Sequence, residues 1–133
     1  MVVAQRVFGR EPARHPPEFT VLRTRAHILY IESPAATDEI PICHVPDAAT
    51  MVRVIGVTDV GTVDFNIEKR AQLTPDVAGT NIFTADKQAT ASGLNQTSFD
   101  SGAVAADTWL HYSASAVATA PTKLWITIEY TID

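Results

Sequence analysis

"GTVDFNIEKR", residues 61–70, decides the fold class. Val63, Phe65 and Ile67 share one face of an extended segment, and Asp64, Asn66 and Glu68 share the other. A period of two with one apolar face is the mark of a strand that covers a core. The stretch "TKLWITIEYTI", residues 122–132, repeats the pattern. Leu124, Ile126, Ile128, Tyr130 and Ile132 are expected to enter the core, opposite Trp125, Thr127, Glu129 and Thr131. Trp125 therefore falls on the face expected to meet water, which marks a contact surface.

Outward from these two segments the same grammar continues. "FTVLRTR", "AHILYIE", "EIPICHV", "TMVRVIGVT", "NIFTADKQATAS" and "DTWLHYSAS" are short runs rich in β-branched and aromatic residues. Pro, Gly, Asp, Ser and Thr clusters separate them. "TDVGT", residues 58–62, is expected to be a tight hairpin connection and "TPDVAGTN" a longer loop. "DSGAVAADT", residues 100–108, has room for a single turn. Seven or eight strands at this spacing predict an all-β domain, a single antiparallel β-sandwich of jelly-roll-like or immunoglobulin-like kind. The sandwich is assigned to residues 19–133. Residues 1–18, broken by Gly9, Pro12, Pro16 and Pro17, are expected to form an extended N-terminal arm.

The chain has 133 residues, 46% hydrophobic and 19% charged, the balance of one folded domain. The longest apolar run, "AHILYI", is too short to span a bilayer, so no membrane association is expected. The opening residues lack a secretory leader pattern. Cys43 is the only cysteine, so no intrachain disulfide can form, which fits assembly in a reducing cytoplasm. The net charge of −5 is unevenly spread. Residues 1–25 carry five arginines against two glutamates, and residues 26–133 carry five basic against thirteen acidic residues. An acidic body argues against nucleic acid as a partner. A basic arm on that body argues that the two ends meet different surroundings.

Candidate chemistry is sparse. Asp64, Asn66 and Glu68 offer oxygens, but alternate side chains on a strand stand about 6.6–6.8 Å apart, too far for one ion without loop ligands. They are expected to be the wet or inter-subunit face of a structural strand. Cys43 and His44 are adjacent and point to opposite faces, and His15, His27 and His111 lack metal-ligand spacing. Asn95-Gln96-Thr97 matches a glycosylation sequon, fortuitous without a secretory leader. No phosphate-binding glycine loop or nucleophile elbow is present. No enzyme, metal or cofactor is expected.

The segment from about Val52 to Thr131 resembles small β-sandwich structural proteins of tailed bacteriophages. Phe65-Asn66-Ile67-Glu68 with Arg70, Gly79 with Ile82, Ala105-Ala106-Asp107 with Trp109-Leu110, and Leu124 to Thr131 carry the likeness. This chain departs from the pattern by placing Thr108 between the Asp and the Trp. The resemblance implies a virion component of the capsid-decoration, head-fibre or tail-associated type. It further implies a homo-oligomer, with a trimer preferred, and a major capsid protein or other virion protein as partner. Arg6, Arg10 and Arg14 are the expected lattice-docking groups of the arm. Trp109, Tyr112 and Trp125 are the expected subunit contacts. In the alternative reading those three aromatics are the platform of a carbohydrate-binding module.

Overall fold

The computed structural model describes residues 23–71 and 79–133. Those residues form ten strands and no helix: β1 (Thr24–Glu32), β2 (Glu39–Val45), β3 (Ala49–Thr58), β4 (Thr62–Arg70), β5 (Thr80–Asn81), β6 (Lys87–Thr90), β7 (Leu94–Gln96), β8 (Ala103–Val104), β9 (Thr108–Ala118) and β10 (Lys123–Ile132). The all-β expectation holds. The predicted arm and the loop around residues 72–78 lie outside the described residues.

The strands hydrogen-bond in the order β1-β10-β3-β6-β4-β9-β2, with β5 beside β4, and β7 and β8 beside β3. All pairings are antiparallel except β3 with β6, which meet at Val57 and Thr90 alone. The first and last strands of this order, β1 and β2, also approach each other, so the sheet nearly closes on itself.

The connection 59–61 is tight, as expected, but β3 and β4 do not form a hairpin. They splay apart, and β6 lies between them, with Thr90 registered against both Val57 and Thr62. The cause lies in the residues that follow β4. "NIFTADKQATAS" is not one strand, because Ile82 and Phe83 are both fully buried, which consecutive residues of a one-faced strand cannot be. The chain leaves the sheet after Asn81, drops both side chains into the core and returns as β6. Nor is residues 100–108 a simple turn: Ala103 and Val104 pair with Thr50 and Ala49.

The core sits between the two halves of the curled sheet. Leu124, Ile126 and Ile128 of β10 and Val54 of β3 line one side, as the alternation in β10 predicts. Val63, Phe65 and Ile67 of β4 and Leu110 and Tyr112 of β9 line the other. The halves meet closely at Gly56, where a Cβ would come within 3.1 Å of Ala89 and 3.2 Å of Phe65. Burying large aliphatic and aromatic side chains contributes roughly 1.5–3 kcal/mol each before entropy is charged against it.

A candidate contact face

The outer face of β1, β10 and β3 carries Ile28, Tyr30 and Trp125, three of the five exposed large hydrophobic side chains among the described residues. Cross-strand partners put side chains on the same face, so the register assembles it in rows. Tyr30, Trp125 and Val57 form one row, and Ile28, Thr127 and Ile55 the next. Ile28 is 73% exposed, Tyr30 44% and Trp125 37%. The Tyr30 and Trp125 rings lie 5.5 Å apart in a tilted pair. The Tyr30 hydroxyl donates to Glu32 at 3.4 Å. Charged pairs bound the patch at both ends: Glu32 opposite Lys123 at one, and Arg53 with Glu129, 3.4 Å apart, at the other. An apolar strip framed by polar groups is the usual composition of a surface that binds another macromolecule.

The structure does not bring the three expected aromatic contacts together. Trp125 is exposed as the alternation in β10 predicts. Tyr112 is a correction: it is fully buried. It faces inward from β9 opposite Ile67 and Ile40, and its ring lies 5.9 Å from that of Phe65 in a tilted pair. Burial pushes its phenol pKa up, and among the described residues its hydroxyl has no hydrogen-bond partner. Trp109 is half-buried on the far side of the molecule, with His44 4.7 Å from its ring. Asp107 lies 3.6 Å from that histidine. Arg6, Arg10 and Arg14 lie outside the described residues.

The polar face of β4 is a second correction. Only part of it is wet. Asn66 is 2% exposed, because the segment after β5 folds over it. Its amide nitrogen donates to the Phe83 carbonyl and to Asp86, each at 2.9 Å, and its oxygen accepts from the Phe83 N–H at 3.2 Å. Arg70, also buried, donates to Glu68 at 2.8 Å through Nε and to Glu39 of β2 at 3.1 Å. Burial disfavours its charge, yet the hydrogen bonds and charges of Glu68 and Glu39 outweigh this and raise its pKa. The clamp ties β4 to β2 across the intervening β9. The signal in the sequence was Glu68 and Arg70 two residues apart on one strand face; nothing local announced Glu39.

Burial alone pushes the Cys43 thiol up to about 11, which keeps it protonated and unreactive at neutral pH. Among the described residues, no group of three or more His, Cys, Asp or Glu side chains is placed to hold a metal ion.

No protein-family model matches the chain, and no curated relative does. One solved structure with a partial likeness to this chain is titled "Cyanophage Pam1 capsid asymmetric unit". It has a TM-score of 0.42 and 14% identity, over 83% of this chain and 85% of that one. A likeness this slight carries no argument about fold or function.

Proposed function

We propose that the chain is a non-enzymatic structural protein of a virion, a decoration or surface protein that docks on the particle lattice and reinforces it. The observation that carries this reading is the exposed Ile28–Tyr30–Trp125 strip on a sheet whose other large apolar side chains are mostly buried. Such a strip has its natural use in a contact between macromolecules. The sequence likeness to phage β-sandwich proteins supplies the setting, with a jelly-roll-like sandwich, a homotrimer and a major capsid protein as the finer expectations. The basic arm supplies the anchor: guanidinium groups at Arg6, Arg10 and Arg14 suit bidentate pairing with carboxylates on a neighbouring protein. The carbohydrate-binding alternative draws no support from its platform, since Trp109, Tyr112 and Trp125 do not share a surface.

The test is incorporation. Particles assembled with and without the protein are imaged, and purified protein is added back. The full chain is expected to restore density on the particle surface. A chain lacking residues 1–18, or with the three arginines changed to serine, is expected to keep its β-type circular dichroism and lose incorporation. Binding of the full chain should weaken with salt, because exposed ion pairs are screened beyond about 8–10 Å. Particles that show no added density with the full chain refute the reading, and equal decoration by the truncated chain refutes the arm.

A further inference from the structure

Among the described residues the outer edge of β1 approaches β2 but is hydrogen-bonded to no strand, and we infer that it pairs with β1 of a second copy about a two-fold axis at Ile28. This rests on the self-association part of the reading above and names the partner surface. Strand β1 runs nine residues in unbroken register with β10, without proline or bulge. Among the described residues, no strand pairs with its other side. Native edges are normally blunted by proline, bulges, inward charges or cover. The other end strand, β2, is blunted in two of these ways: Pro41 interrupts it, and Ile42 is an extra residue in its register with β9. The stretch Ala26–Ile31 carries no charged side chain between Arg25 and Glu32. Instead, Ile28 at its midpoint is the most exposed of the large hydrophobic residues described.

Antiparallel pairing of two identical strands is isologous, and a two-fold axis through one residue keeps the outer faces of both copies on the same side. Centred on Ile28, it sets Ile28 against Ile28. Tyr30 of each copy then meets the small Ala26 of the other, and Glu32 meets the neutral Thr24. No like charges are brought opposite each other, which favours this register. The Tyr30–Trp125 pairs of the two copies would then flank a shared Ile28 centre, making one strip from two exposed faces.

The experiment uses the full chain in the absence of particles. Native mass spectrometry is expected to give an even number of copies, a dimer or a dimer of trimers. Ile28→Lys places a charge on the dyad at an exposed position and should halve the mass, with pairing weakened at least about tenfold. A second variant guards against a folding artefact. Directly opposed antiparallel residues have Cα atoms about 4.5–5.5 Å apart, within disulfide reach. The Ile28→Cys, Cys43→Ser protein should therefore form a covalent dimer on mild oxidation, and a Val60→Cys, Cys43→Ser control should not. A monomer or an isolated trimer in the unmodified chain overturns the inference, as does failure of Ile28→Cys to cross-link. A chain that pairs as stated but never joins particles overturns the virion reading alone.

Discussion

The amide of Asn66 bonds both the N–H and the C=O of Phe83, as a strand partner would, and so replaces a ladder where the chain has left the sheet. Asn66→Ala would orphan both groups in a buried setting, at about 1–3 kcal/mol for each group left unsatisfied. The expected result is a stability loss of about 2–4 kcal/mol in urea melts, with faster amide exchange at Phe83. Asp59 does similar work in the open. Its carboxylate accepts from the Thr122 hydroxyl and from the backbone N–H groups of Thr122, Lys123 and Val60, which fastens the 59–61 turn to the start of β10. The Thr122 hydroxyl, with these N–H groups, holds the Asp59 pKa well below the usual carboxylate range. The folded value is depressed, so the stabilisation is present above the unfolded pKa of about 3.9 and is lost as pH falls below it. Asp59→Asn should lower the melting temperature at neutral pH and flatten the acid limb below about pH 4. An unchanged acid limb would show that Asp59 is not its source.

At the scale of elements, the two carboxylates of β4 part company. Asp64 accepts a hydrogen bond from exposed Gln88 at 2.9 Å, whereas Glu68 serves a buried guanidinium. Asp64→Asn should stay within about 0.5 kcal/mol of the parent. Glu68→Gln should cost about 1–2 kcal/mol, discounted because Glu39 remains to Arg70 and is itself partly exposed. Arg70→Ala should exceed both; equal midpoints for the two carboxylate variants would dismiss the clamp. The sequence expectation treated Asp64 and Glu68 alike, and the reason is physical. Alternation shows which face of a strand is apolar, so the core faces of β4 and β10 were legible, and with them Trp125. It does not show which polar positions a distant segment will cover. Asn66 is closed off by residues 83–86, and Arg70 by Glu39 from β2. β9 misled for a related reason. Leu110, His111 and Tyr112 are all fully buried, so both of its faces are covered there and no period survives. An aromatic in such a strand looks the same in sequence as one in a contact face.

For the whole molecule, all-β character was legible because many short runs carried the same period, while the path of the sheet was not. Nothing in residues 58–62 reveals that the strands on either side will be separated by β6, since that depends on a segment some thirty residues away. The placement of β10 has a consequence during synthesis. It fills the gap between β1 and β3, yet it leaves the ribosome after both of them. Until Lys123–Ile132 emerges, β1 and β3 have no common neighbour, and the inner side chains Ile31 and Val54 lack their cover. The nascent chain must therefore wait, exposed, and close in one late step governed by contacts of high sequence separation. Chains stalled on the ribosome with β10 still in the exit tunnel should be cleaved by a protease that spares chains stalled after a long added linker. Protection already present before β10 emerges would show that the rest of the sheet stands without it.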